Sequence, residues 1–362
     1  MRRTRAVRHL RDLPSLDEMS DAWDALARSA ATPMQQFAWT RAAATAFAPE
    51  RGLRVFVAGR PPELTAAVAF IERPGPLGHL EFLGATELGE PVDALVADRS
   101  ALALVAEALH DSGRPALLKR VPTSSPLLDA VCTTYRNRGG LVVCRGQCGY
   151  PWIALPTSES DLEGRFNAGR RSDLRRARRM AERMGDVEVE VVVPSEEELE
   201  PLLGEAFKVE AASWKGSTGT ALLCDPLRQA FYRQYARAAC RQGILRLGFL
   251  RIAGVPAAMQ FGVEWASRFW LLKMGYDQSF ARCSPGTLLM LGMLRVASAR
   301  GLESFELLGT REPWTAMWTL RERACVSVRA YPATLRGTAA LASDAVSLGW
   351  RRCCAALRDG AA

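Results

Sequence analysis

The chain has 362 residues, 48% hydrophobic and 24% charged, with a formal net charge of +8. That length provides for two domains or one large one with an ample core, in the composition range of soluble globular proteins. No run of about 18 apolar residues occurs, and the opening MRRTRAVRHLRDLP lacks an apolar signal region, so neither a membrane span nor a secretory leader is expected, and a cytoplasmic protein is.

In chain order, LRVFVAG (53–59) and ELTAAVAFI (63–71) predict two strands joined by a Gly-Arg-Pro-Pro turn, with HLEFLG (79–84) as a third. Asp98 predicts a helix cap before RSALALVAEALHDSG, and Pro115 to Val121 reads as a further strand. Residues 160–185 predict a helix rich in arginine: Arg165, Arg170, Arg171, Arg175, Arg176, Arg178, Arg179 and Arg183, beside a thin apolar stripe of Leu174, Ala177 and Ala181. Such a run is either a solvated face or a grip on a phosphate-bearing ligand. VEVEVVV (187–193) is a strand, and PSEEELEPLLGEAFKVEAASW a helix with the acidic opening that its dipole favours. Ser213-Trp214-Lys215-Gly216 stops that helix on glycine; the Trp-Lys pair lines a pocket or only marks the stop.

The second half then repeats the order of the first. ILRLGFLRI (244–252) and VPAAMQFGVEW (255–265) flank an Ala253-Gly254 turn, SRFWLLKMGY is a third strand, SPGTLLMLGMLRVASARG a helix and LESFELLG a closing strand. The offset of roughly 190 residues is too long for a solenoid and fits a duplicated domain. Hairpin, strand, helix, strand in each half predicts an α+β protein, mixed sheets with packed helices, and argues against a Rossmann sheet. Trp314 and Trp318 share a helical face suited to core packing, and the tail from 336 reads as a covering helix.

Residue types limit the chemistry. Lysine occurs only at Lys119, Lys208, Lys215 and Lys273, an arginine bias of the kind high-GC bacterial coding produces. A modest basic excess suits an anionic small ligand or a nucleic acid. The nine cysteines match no zinc spacing, so reduced thiols and no metal are expected. Histidine occurs only at His9, His79 and His110, so chemistry in the second half must use carboxylates, tyrosine, lysine or water in place of imidazole.

The stretch 271–287 draws these points together. Ser284 suits an N-cap and Pro285 the first helical position, but Gly286 is a helix former poorer than alanine by roughly 1 kcal/mol. Glycine there permits a phosphate to approach the free N–H groups of the first turn, or the helix is merely capped. Ideal strand alternation puts Lys273, Gly275 and Asp277 on one face and Trp270, Leu272 and Met274 on the other, with Gly275 leaving room for a substrate. Lys273 is otherwise a lysine snorkelling at a sheet edge.

AASWKG, FYRQYARAACRQGILRLGFLRIAGVPAAMQFGV and FWLLKMGYDQSFARCSPGTLLMLGMLRVASARGLESFELLG resemble the GNAT-type acetyltransferase domain of CelD-like bacterial proteins, a relative of the Fem-type peptidyltransferases, which carry two GNAT-like halves. The resemblance covers about 160–325, and PMQQFAWTRAAATAF resembles the family's opening. It implies two tandem GNAT-like domains: residues 1–155 without cofactor, there being no Ser-Pro-Gly turn, and residues 156–335 with an acyl-CoA site, then a helix over 336–362. It implies acyl, especially acetyl, transfer from acyl-CoA to an amine or hydroxyl of a small molecule or envelope-precursor acceptor. Ser284, Pro285, Gly286 and Thr287 match the pyrophosphate-side turn, and Trp214, Lys215, Lys273, Tyr276 and Asp277 match positions near the acceptor. Where relatives carry an aromatic-lysine pair after the closing strand, this chain has Trp314-Thr315. Without histidine, Asp277 is the expected base, with Glu306 as substitute, Tyr276 the proton donor to the thiolate, and Lys273 or a strand N–H the oxyanion support. Aminoacyl transfer from tRNA and a non-catalytic binding protein are the alternatives the resemblance leaves open.

Overall fold

A computed structural model describes residues 7–48, 52–156, 164 and 166–359, with side chains to 347. The chain divides into two compact units. The first comprises 1–30, 34–148 and 324–362, the second 31–33 and 149–323.

The first unit holds strands β1 (Val7–Leu10), β2 (Leu53–Arg60), β3 (Glu63–Arg73), β4 (His79–Phe82), β5 (Leu95–Val96) and β6 (Ala116–Pro122). Its main helices are α1 (Phe37–Phe47), α2 (Arg99–Asp111) and α3 (Pro126–Asn137). Asp98 caps α2 by accepting the Ser100 N–H at 2.8 Å. β1 to β4 pair antiparallel in order, and β4 pairs parallel with β6. Phe56, Phe70, Phe82, Leu118 and Tyr135 are buried at its centre.

The second unit receives the end of β7 (Leu141–Ala154) and adds α4 (Ala168–Glu182), β8 (Val187–Val192), α5 (Glu196–Ala211), α6 (Pro226–Arg241), β9 (Leu245–Ile252), β10 (Val255–Trp265), β11 (Arg268–Tyr276), α7 (Pro285–Ala299) and β12 (Ser304–Glu306). Arg165, counted above in the arginine run, lies outside the described residues. Its sheet runs β7-β12-β11-β10-β9-β8, antiparallel except for β11–β12. Both units thus carry hairpin, strand, helix and a parallel strand, one topology used twice in an α+β protein. After β12, β13 (Glu322–Tyr331) pairs with β6, and α8 (Leu335–Asp359) follows it.

Local chemistry sets the helices around the second sheet. Ser195 and Glu198 form a reciprocal capping box that starts α5. α5 and α6 pack on one face, where Phe207, Phe231, Tyr232 and Tyr235 are buried. α4 and α7 cover the other face over Phe269, Leu289, Leu294 and Phe305. Among the described residues no helix is long and apolar enough to cross a membrane, and no His, Cys, Asp and Glu cluster suits a metal. The seven described cysteines are free.

Gly275 does not make room for a ligand, as strand alternation alone suggests. A Cβ there would stand 2.7 Å from the Glu210 Cα, so the missing side chain lets α5 close onto β11. Gly275→Ala is therefore expected to overpack that contact and destabilise by about 1–3 kcal/mol. Urea unfolding with an unchanged midpoint would show that α5 does not sit there.

Candidate active site

β11 and β12 pair over three residues, Arg268 with Ser304, Phe269 with Phe305 and Trp270 with Glu306. β12 ends at Glu306 and Leu307 donates to the Pro151 carbonyl, while β11 continues beside β10 to Tyr276. Two parallel strands therefore part after Trp270.

A bulge changes which way β11 faces. Phe261 of β10 opposes Lys273, and the next residue, Gly262, opposes Leu271. Leu272 is the extra residue, and an extra residue reverses the alternation beyond it. Phe269, Leu271, Met274 and Tyr276 consequently share the α7 side. Lys273 and Gly275 face α5 and α6, with the Lys273 Nζ 5.1 Å from the centre of the Tyr232 ring. The predicted face that set Lys273 against Trp270 is thus corrected by one inserted residue.

The α5 side is knit by charge. Lys215 Nζ donates to the Met274 carbonyl at 2.6 Å and meets Glu210 Oε1 at 3.1 Å. The other oxygen of the buried Glu210 accepts the Leu222 N–H at 2.9 Å. α5 itself ends at Ala211; Trp214–Ser217 is a separate helical turn, capped by Ser213, and Trp214 is exposed. Gly216 is needed at this corner, since a Cβ would lie 2.0 Å from the Ala211 carbonyl oxygen. Lys215 is thereby a tie between the corner and β11.

On the α7 side, Tyr276 lies against Gly286: the nearest atom to a Cβ placed there is Tyr276 Cδ1, at 3.4 Å. Asp277 follows, its Oδ1 accepting the Ser279 N–H at 2.8 Å and capping the 3₁₀ turn Gln278–Cys283. Cys283 is buried, its thiol raised by desolvation and bonded to the Phe280 carbonyl at 3.1 Å. Ser284 occupies the cap position of α7, but in the left-handed region (φ 50°, ψ 54°) and with no side-chain cap bond, contrary to its predicted capping role. A non-glycine residue held there stores strain on the order of 1 kcal/mol. The first-turn donors are fewer than a bare helix end offers. Pro285 is buried and has none, and Thr287 and Leu288 donate to the Ser284 carbonyl, which leaves the Gly286 N–H.

What the helix start lacks, arginines supply. Ser284 and Thr287 line a cavity of about 260 Å³ with Arg282 and, from α4, Arg170, Asp173 and Arg176. Arg176 leans on Asp173 at 3.4 Å. The Arg170 guanidinium lies 5.4 Å over the Trp318 ring and its Nη1 points to Met317 Sδ at 2.8 Å. Its Nε and Nη2 are buried without a hydrogen-bond partner among the described residues. Unmet guanidinium donors are costly, and an anion in the cavity removes that cost.

Glu306 has another task. It is fully buried, takes Arg323 Nη2 at 2.6 Å and Nε at 3.0 Å, and accepts from Ser304 Oγ at 2.7 Å. That pairing raises the Arg323 pKa, and the guanidinium also stacks 4.3 Å from the Trp152 ring. Of the two expected bases, then, Glu306 is engaged by arginine, while Asp277 has no ion pair among the described residues. Arg282, Glu210 and Arg323 escaped the sequence reading; a lone Glu on the inner face of α5 was the one signal available.

Residues 168–315 match the family model described as an acetyltransferase (GNAT) domain. The second unit has the GNAT fold. That domain opens at the first residue of α4 and closes just past Trp314. A solved structure of the C-terminal domain of a putative lysylphosphatidylglycerol synthetase from Agrobacterium fabrum is similar over 92% of this chain and 97% of its own, with a TM-score of 0.58 at 13% identity. FemX is similar over 90% and 97%, with a TM-score of 0.55 at 13% identity. At that identity the likeness is one of fold, and it extends over both units. No curated protein matches the sequence.

Glu306→Gln is expected to destabilise by on the order of 3 kcal/mol, because it strips a bidentate partner from Arg323. A melting temperature equal to that of the parent, with turnover lost, would return Glu306 to the chemistry.

Proposed function

We propose that the GNAT domain moves an acyl group, acetyl foremost, from acyl-CoA to an amine or hydroxyl of a small-molecule or envelope-precursor acceptor. The observation that carries this reading is the cationic cavity at Ser284 and Thr287, where α7 begins. Arg170, Arg176 and Arg282 would meet the donor's diphosphate there, with the Gly286 N–H and two hydroxyls beside them. Arg170 supports the fit, since its two buried donors need an anionic acceptor.

The thioester arm then lies along the part of β11 beyond Trp270 that β12 no longer pairs, its carbonyl toward the Tyr276 end, where strand N–H groups can meet the oxyanion that develops as the acceptor attacks. Holding acceptor and thioester in line supplies much of the acceleration, about 7 kcal/mol or more in well-aligned cases. Asp277, at the strand end and fixed by the Ser279 N–H, takes the acceptor's proton. Tyr276, against Gly286, returns a proton to the CoA thiolate. Lys273 stands on the opposite face of the strand, over Tyr232, and Lys215 is tied to Met274, so both act in positioning. Trp214 remains an acceptor-side candidate by its exposure alone.

Titration of the purified chain with acetyl-CoA in a thermal-shift assay is expected to raise its stability by about 2.7 kcal/mol at a hundred times Kd. No shift with any acyl-CoA, together with activity abolished by ribonuclease, replaces the CoA donor with a charged tRNA. Arg282→Ala should raise the donor KM about tenfold or more with kcat nearly constant, the loss of one charge-assisted contact. Asp277→Asn should cut kcat by about 10²–10⁴ while donor affinity holds; undiminished turnover removes Asp277 from the mechanism.

A further inference from the structure

α4 has a second cavity, across Leu174 from the first. Its volume is about 590 Å³. Arg171, Arg175, Arg178 and Arg179 of α4 face Arg295 of α7 across a floor of Leu174, Val189, Leu288 and Leu291, and no acidic residue lines it. The four α4 positions span nine residues, about 12 Å of helix, and repeat at intervals that bring like charges together on one flank.

Some of this charge is used locally. Arg178 Nε meets Glu182 at 2.7 Å and its Nη2 reaches the Val187 carbonyl; Arg171 Nη1 donates to the Phe166 carbonyl at 2.7 Å. Arg175 and Arg179 are exposed and have no ion pair among the described residues. A row of arginines over an apolar floor is a poor arrangement in water alone: like charges repel, and the small parts of Leu174, Val189, Leu288 and Leu291 left uncovered in the cavity still meet water. A ligand with an apolar body and several negative charges would relieve both.

We propose that this cavity is a second ligand site, independent of the donor cavity, for a nucleoside bearing two or more phosphates. A single small anion is too compact for charges spread along about 12 Å of helix. A long alkyl chain is also a poor fit, since the apolar floor is a patch of a few side chains between arginines. A nucleotide-sized body suits the volume. Guanidinium planes stack on bases and pair bidentately with phosphates, which lysine does not.

Calorimetry on the full chain with ATP, AMP, adenosine and tripolyphosphate tests this. ATP is expected to bind at least tenfold tighter than AMP and than tripolyphosphate, with adenosine weakest. The double variant Arg175→Gln/Arg179→Gln is expected to weaken ATP by tenfold or more at an unchanged melting temperature. Arg282→Ala, in the donor cavity, is expected to leave ATP affinity alone. Undetectable ATP binding at millimolar concentration overturns the proposal. So does binding lost with Arg282→Ala and kept by the double variant, which returns ATP to the donor cavity. Tripolyphosphate as tight as ATP, or dodecyl phosphate tighter, shows that no nucleoside is recognised and likewise overturns it. None of these readouts depends on acyl transfer, so a chain inactive with acyl-CoA can still satisfy them.

Discussion

The extra residue in β11 governs what can meet what in the second unit. Without Leu272 as a bulge, Tyr276 would share a face with Trp270, and Lys273 would point toward α7. With it, Tyr276 comes to the glycine at the start of α7, while Lys273 and Gly275 turn to α5 and α6. The strand's two faces are thereby given separate work. One is closed by helix packing on a glycine and by the Lys215–Glu210 pair. The other ends in a short 3₁₀ turn, a strained serine and a ring of cations.

Charge placement separates scaffold from site in the same unit. Arg246 and Arg300 both grip Glu264, and Arg251 is shared by Glu190 and Glu205, whose hydrogen bonds raise its pKa further. Arg323 is matched by Glu306. These arginines hold strands and helices together. The arginines of α4 stand apart, because the chain sets few carboxylates against them. An arginine-rich composition explains how many there are but not why matched and unmatched ones segregate. Unmatched cations gathered at cavities are what anionic ligands require.

Much of the frame was legible because it rests on period and punctuation. Alternating strands, the Asp98 and Ser195 caps and the Pro285 helix start are local signals, and local geometry obeyed them. The repeated hairpin-strand-helix-strand order was legible for the same reason. What escaped depends on contacts distant in sequence. Leu272 carries no mark of a bulge, since a register shift is decided by pairing with β10. Ser284 reads as a cap, yet the chain enters α7 from a 3₁₀ turn and forces it left-handed. Gly275 reads as open space, and only the position of α5 shows it filled. The arginine run left two meanings open, and cavities formed with α7 and Arg282 favour the ligand-binding one.

The same topology in the first unit shows how little the fold decides alone. There β4 and β6 also run parallel after a hairpin. Near their pairing, Glu81 is buried among Arg73, Lys119, His79 and Thr86. Burial alone would raise its carboxyl, but hydrogen bonds from His79 and Thr86 and the charges of Lys119 and Arg73 outweigh it and hold the pKa at about 2. That cluster answers its own charge with a carboxylate supplied by the chain. At the start of α7 in the second unit, Arg170, Arg176 and Arg282 meet one exposed aspartate, Asp173, in a cavity that is open. One sheet plan thus ends once in an internally satisfied ion cluster and once in cations that outnumber their counter-charges. The difference lies in a handful of side chains, and it is on these that the proposed donor site rests.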